Sequence, residues 1–304
     1  PAEALNAAMA PRQVPLRLVA APAYYCRVAK AFGNIADNDP TIYPADLGDA
    51  LKAYDATLSK SLDAIVKKVD GCEYGGVTRD GYGYNYFGDV FHWNNKTGST
   101  DPKDHLWESN YYDFPYAACL QFIRTGDEKY LDVTDPNGLH LADVFMCKWD
   151  PQEMYRGACR YSPPADEVAL DTTGKFTPYR SVEFNHHKAQ SILARYLLLG
   201  DLQARDHFLL ALNNALKNPE ESWRQCRGPG AKLATLYWGY QLTGDQECLK
   251  VMKRIVDKAI AITDAKGFSR QGPSGYFMMG IAREGILYYY WQTAQEEAIK
   301  PVKL

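Results

Sequence analysis

Three stretches of the chain end in the same way: Gln121-Phe-Ile-Arg-Thr-Gly126-Asp127, Arg195-Tyr-Leu-Leu-Leu-Gly200-Asp201 and Tyr240-Gln-Leu-Thr-Gly244-Asp245. A glycine takes the left-handed conformation that terminates a helix without steric penalty, and an Asp just after it can accept the free N–H groups of a second helix. Each stretch therefore predicts an apolar helix, a tight reversal and a more charged partner. The partners run over Glu128 to Lys148, Leu202 to Lys217 and Gln246 to Asp264. Asp135-Pro136-Asn137-Gly138 predicts a break in the first of them. A fourth apolar helix, roughly Phe277 to Glu297, lacks the Gly-Asp ending. Repeated helix pairs build either an open solenoid or a closed ring. The uneven spacing and polar insertions favour the ring. The expected fold is all-α: an incomplete (α/α) toroid of repeated antiparallel helix hairpins with long irregular aromatic-rich loops.

Ahead of the repeats, Leu47, Leu51, Tyr54, Leu58, Leu62, Ile65 and Val69 recur at helical spacing, which predicts a helix over Ala45 to Val69. Asp46 is expected to cap its start and Gly71 to end it. Residues 71–109 are rich in Gly, Tyr and Asn without a sustained period, which predicts a long irregular region containing a short hairpin. Residues 1–44 hold Pro11, Pro15, Pro22, Pro40 and Pro44 and read as an extended lead-in segment packing on the domain, with 45–304 as the toroid domain.

A formal net charge of -3 is too small to imply a nucleic-acid partner or an anionic membrane. No apolar run reaches membrane-spanning length, and Pro1 to Ala10 lacks the features of a signal peptide. The seven Cys show no metal or haem spacing, so no disulfide framework is expected and most read as small buried residues. The 22 Tyr and 6 Trp, many of them in polar stretches, combine flat apolar faces with polar edges, which suits sugar rings as well as cores.

The starts of the four apolar helices carry unusual residues: Glu108-Ser-Asn110-Tyr111-Tyr112-Asp113, Glu183-Phe-Asn185-His186-His187, Arg224-Gln-Cys-Arg227-Gly-Pro-Gly and Arg270-Gln-Gly-Pro-Ser274-Gly-Tyr276. If these helices run parallel, their N-termini meet at one mouth with positive helix-dipole ends. Such a mouth suits a substrate bearing carboxylates. Asn110 and Asn185 also read as helix caps, and Gly-Pro-Gly as a rigid turn from which Arg227 could hold a carboxylate. Adjacent His186 and His187 point different ways, so one leaves the core-facing stripe, and their spacing gives no two-His metal grip. Asp113 and Asp89 read as acid/base groups, as sugar-hydroxyl partners or as caps; Trp93 and Tyr276 add aromatic surface. Asn95-Lys96-Thr97 is a glycosylation sequon, relevant only in a eukaryotic secretory pathway.

The run Tyr86-Phe87-Gly88-Asp89, then Ser109-Asn110-Tyr111-Tyr112-Asp113-Phe114-Pro115-Tyr116, then Leu120 through Tyr130, resembles the α/α-toroid domain of exo-acting rhamnogalacturonan lyase-like proteins. The resemblance spans roughly residues 17–250, including the Asn185-His186-His187 helix. In that family a β-rich barrel usually precedes the toroid, and this chain has no room for one. The family's Asn-Glu-Tyr-Asp or Asn-Gln-Tyr-Asp stands here as Asn110-Tyr111-Tyr112-Asp113, and its Asp-Val-Asp or Asp-Ile-Asp and following His-rich stretch is weak around Asp143 to Arg160.

The resemblance implies a polysaccharide lyase acting on a uronate-containing, pectin-like glycan by β-elimination. That chemistry needs a group to neutralise the uronate carboxylate, a base for the C5 proton and an acid for the leaving oxygen. Arg227 and Asn185 are assigned to the carboxylate, His186 or His187 to the base, and Tyr111 or Tyr112 to the acid. A glycoside hydrolase would instead use two carboxylates among Asp89, Glu108, Asp113 and Glu183. A third reading is a non-catalytic glycan-binding or assembly module. No cofactor is implied, and a structural Ca²⁺ at carboxylate-rich loops stays open, as does a homo-oligomer or larger assembly. A glycan partner implies a secreted or periplasmic location, with a cytoplasmic one left open.

Overall fold

The computed structural model describes residues 21–69, 113–149, 153, 155–159, 189–218, 223, 226–263 and 276–303, with the pairs 73–74, 77–78, 91–92 and 106–107. The described chain is predominantly helical. Its longer helices are α1 (Ala45–Val69), α2 (Phe114–Thr125), α3 (Glu128–His140), α4 (Gln190–Leu199), α5 (Leu202–Lys217), α6 (Arg227–Thr243), α7 (Gln246–Ile262) and α8 (Tyr276–Thr293). Sheet pairing among the described residues is confined to short ladders. β1 (Glu73–Tyr74) pairs antiparallel with β2 (Val77–Thr78), and β3 (Phe91–His92) with β4 (Leu106–Trp107). None of the described helices is long and apolar enough to cross a membrane.

The Gly-Asp turns fold as their chemistry dictates. Gly126, Gly200 and Gly244 have φ of 74°, 70° and 71°, and each donates its N–H to the carbonyl four residues back. The Asp next in sequence accepts from the following helix: Asp127 from the Lys129 N–H at 3.2 Å, Asp201 from Gln203 at 2.9 Å, and Asp245 from Glu247 at 2.9 Å. Thr125 and Thr243 add a clasp, each hydroxyl donating to the carbonyl four residues back and accepting the N–H of the capping Asp. In the second turn Leu199 replaces the Thr, and Arg195 holds Asp201 instead, at 2.9 Å.

The fourth apolar helix ends in the same turn under a different sequence. Ala294 occupies the glycine position at φ 55° and donates to the Tyr290 carbonyl at 2.7 Å; Gln295 stands where Asp would cap; Thr293 repeats the clasp. A Cβ in that conformation is strained.

Side-chain contacts fix helix direction. Thr134 of α3 bonds back to the Pro115 carbonyl of α2, and Arg195 of α4 reaches Asp135 while Gly138 abuts Ser191, so α2, α3 and α4 alternate in sense. Gly239 of α6 packs on Leu212 of α5, and the Lys232 ammonium donates to the Asn218 carbonyl, so those two are antiparallel as well. Between α6 and α8 the order rises together: Gly230 meets Ile281, Tyr237 stacks on Tyr288, and Gln241 bonds Gln292 at 2.6 Å. Hence α2, α4, α6 and α8 all run parallel. The α6–α8 pair is especially close, because a Cβ at Gly230 would collide with the Ile281 carbonyl and one at Gly285 with the Gly230 carbonyl.

Three local expectations change, and a fourth falls outside what the structure describes. Asp46 sits inside the first turn of α1 rather than capping it, since the Pro44 carbonyl already accepts the Gly48 N–H at 2.8 Å. Gly71 lies outside the described residues. The break at Pro136 does not occur: α3 runs through it and continues as a wide π-helical turn over Leu141–Phe145. Arg195 bonds both the carbonyl and carboxylate of Asp135, and Gly138 allows α4 to press close, so tertiary contacts override the local breaker. The lead-in is not extended throughout. It winds into a π-helical turn over Tyr24–Ala29 and a 3-10 turn over Pro40–Ile42, burying Cys26 and Phe32 in the common core.

That core joins Phe122, Ile123, Leu131, Phe208, Leu233, Leu236 and Ile286 into one cluster. Among the described residues Cys26, Cys119, Cys147, Cys159, Cys226 and Cys248 are all free and buried.

Gly244→Ala has nothing within 4 Å of the new Cβ, so it reads backbone strain alone and costs about 1 kcal/mol in urea unfolding. Ala294→Gly combined with Gln295→Asp moves the midpoint the other way, by about 1 kcal/mol. Gly230→Ala costs about 1–3 kcal/mol because the α6–α8 backbones must separate.

Candidate functional site

Asp89, Trp93, Glu108, Asn110, Tyr111, Tyr112, Glu183, Asn185, His186 and His187 lie outside the described residues. Tyr276 is the first residue of α8. Asp113 and Arg227 are described.

Arg227 does not sit in a rigid turn. It opens α6, half-buried, and Gly228, Pro229 and Gly230 are already helical. Proline is tolerated in a first turn, where its missing N–H has no helical partner to lose. Beside Arg227, Cys226 Sγ is 3.8 Å from Met279 Sδ, which sets the level at which α6 and α8 begin to pack. Asp113 precedes α2 in the left-handed conformation, φ 53° and ψ 45°. Its carbonyl accepts the Tyr116 N–H at 3.0 Å, while its side chain makes no cap bond to the helix.

Asp113 is linked to a group that the sequence did not single out. Its negative charge bears on Glu284, well inside α8, and on Cys119. The Tyr288 hydroxyl donates to Glu284 Oε1 at 2.9 Å. Tyr288 stacks on Tyr237 with centroids 4.7 Å apart and 21° between planes, and meets Trp238 edge to face at 6.0 Å. The first and last of the parallel helices thus converge here, with α6 supplying the aromatic wall.

The floor of this cluster is dry and only partly satisfied. Tyr116, Tyr288 and Trp238 are 7%, 5% and 4% exposed. The Tyr116 hydroxyl and Trp238 Nε1 both lie near the Tyr288 oxygen, yet neither completes a hydrogen bond in good geometry. Buried donors left in this state are costly unless a ligand or water completes them. The Glu284 side chain, by contrast, is reached by solvent. Next to it, Arg283 is half-buried and its Nε has no hydrogen-bond partner.

Electrostatics separate the roles of these groups. Lost hydration pushes the Glu284 carboxyl above its ordinary value; the Tyr288 hydroxyl pulls it partly back, and the charge on Asp113 pushes it up again. Burial drives the phenols of Tyr288 and Tyr116 well up, and the Glu284 charge adds to both. The cluster therefore holds a carboxyl inclined to keep its proton beside phenols that act only as neutral donors. A carboxyl inclined to keep its proton, carried on an exposed residue over an aromatic floor, can meet a hydroxyl-rich ligand and pass a proton to it. Among the described residues no group of three or more His, Cys, Asp or Glu could hold a metal ion.

Helix starts draw attention in the sequence because cap residues stand out there. Glu284 lies mid-helix, and the usable signal was Arg283-Glu284 interrupting the apolar run from Tyr276 to Tyr290.

Because the folded-state pKa of Glu284 is raised, its ionisation favours the unfolded chain, and the wild type loses stability as pH rises from about 4 through the folded pKa. Glu284→Gln is expected to melt higher than the wild type at pH 7, with the two curves merging below about pH 4. Differential scanning calorimetry across pH checks both.

Comparison of the chain with models of protein families, with characterised proteins and with solved structures gave no match in any of the three.

Proposed function

We propose that the chain is a carbohydrate-active protein, an (α/α) toroid that binds a uronate-containing glycan at the end where α2, α4, α6 and α8 begin and cleaves it by β-elimination. The observation that carries this reading is the Glu284–Tyr288–Tyr116–Trp238 cluster: an exposed Glu whose carboxyl is bonded to Tyr288 on a buried aromatic floor. Convergence of α2 and α8 at that cluster supports the closed ring. The resemblance to exo-acting rhamnogalacturonan lyase-like proteins supports a pectic substrate, and with it a secreted or periplasmic site of action.

In this reading Arg227 and Asn185 neutralise the uronate carboxylate, and Arg283, with its unpartnered Nε, adds a cation at the same wall. His186 or His187 takes the C5 proton, and Tyr111 or Tyr112 protonates the leaving oxygen. The neutral phenol of Tyr288 holds the Glu284 carboxyl in place from the buried side, with Tyr116 behind it.

A glycoside hydrolase is the second reading, and the Asp113–Glu284 pair favours it. One carboxyl held toward its protonated form by lost hydration, with a negative neighbour adding to the push, is an arrangement that separates a general acid from its partner carboxylate.

Incubation with a panel of pectic and other uronate polysaccharides separates the two. Ultraviolet absorbance from unsaturated uronates that disappears in His186→Ala or His187→Ala supports elimination. New reducing ends without absorbance, lost by at least about 100-fold in both Glu284→Gln and Asp113→Asn, support hydrolysis. Silence in both channels overturns both activities and leaves a binding or assembly module.

A further inference from the structure

Glu284 does not stand alone on its side of α8. Gly280, Glu284, Leu287 and Trp291 recur at three- and four-residue steps, so they share one face, and solvent reaches Gly280, Glu284 and Trp291 directly. Trp291 is 43% exposed; Trp223 and Trp238 are buried, and Trp149, more exposed still, follows the π-helical turn well away from α8 in sequence. Its ring meets that of Tyr288 at 5.4 Å and 83°, and Tyr288 in turn bonds Glu284. The indole is thus open to solvent, fixed in orientation, and joined to the carboxyl through a single buried side chain. Beside it, Gln241 and Gln292 pair their amides at 2.6 Å in an exposed position, offering hydrogen-bonding groups at the same level.

We propose that Trp291 is a stacking platform for one ring of a bound oligosaccharide. It lies two helical turns along α8 from Glu284, about 10 Å at the usual helical rise. That span exceeds one sugar ring and falls within a short oligosaccharide. The proposal rests on the glycan reading of the Glu284 cluster and adds a second subsite to it. A sugar suits the place better than a protein surface. The apolar area is one indole between a carboxylate and a pair of amides, which matches the C–H face of a pyranose rimmed by hydroxyls; a protein partner needs a contiguous apolar patch.

The test uses the full chain and a ladder of oligosaccharides, from disaccharide upward, prepared from the polysaccharide it cleaves or binds. Wild-type kcat/KM, or affinity by calorimetry if no cleavage occurs, should rise by about tenfold once the substrate can span Glu284 to Trp291, the order expected of one well-packed aromatic contact. Trp291→Ala should abolish that step, so that long and short oligosaccharides are handled alike, while Trp291→Phe keeps part of it and reports on folding. A step that survives in Trp291→Ala, or a loss equal at every length, overturns the platform alone. Failure of the wild type to bind any member of the ladder overturns the glycan reading and the platform with it.

Discussion

A left-handed residue at the end of each apolar helix governs the rest of this architecture. That single backbone choice reverses the chain within two residues, frees an extended position for a capping side chain, and delivers the next helix antiparallel to the last. Because every second helix is reversed, the apolar members all run in one sense. The Thr clasp found in three of the four turns, and the Arg195–Asp201 pair in the remaining one, are alternative means of holding the same reversal.

The close α6–α8 contact carries the second constraint. Gly230 and Gly285 let the two backbones approach until carbonyls lie where side chains would otherwise be, and this brings Tyr237 and Trp238 against Tyr288. The aromatic wall then restricts the Glu284 environment, so that one glycine contact near the start of the helices sets the electrostatics of a carboxyl further along. A group whose ionised form is disfavoured works against folding at neutral pH, a pattern more often found where proteins do chemistry than where they only pack.

Much of this was legible from residues with a single conformational meaning. Gly126, Gly200 and Gly244 announced their turns because glycine enters the left-handed region freely and an adjoining Asp caps the next helix. The fourth turn was hidden because Thr293-Ala294-Gln295 keeps the geometry while abandoning both signals. Pro136 misled for the converse reason: a local breaker was outweighed by Arg195 and the neighbouring helix, neither visible at short range. Gly228-Pro229-Gly230 read as a turn by composition, yet its last glycine is required by the packing of α8 and its proline falls where helices accept one. In the cluster, Asp113 was legible as an unusual helix-start residue. Glu284 was not, since the Asp113 charge that bears on it comes from the start of α2 and the aromatic wall behind its Tyr288 partner from α6, both far away in sequence.

The buried thiols have a consequence of a different kind. Cys26 lies in the lead-in, Cys119 in α2, Cys147 and Cys159 around the isolated bridge after the π-helical turn, Cys226 at the start of α6 and Cys248 in α7. The lead-in and α2 hold one each, the Met146–Cys159 bridge segment two and the α6–α7 hairpin two, while α4, α5 and α8 hold none; all six are shielded in the folded state. Among the described residues no disulfide ties these units together, so the order in which the sulfurs become reactive reports which of the thiol-bearing units opens first.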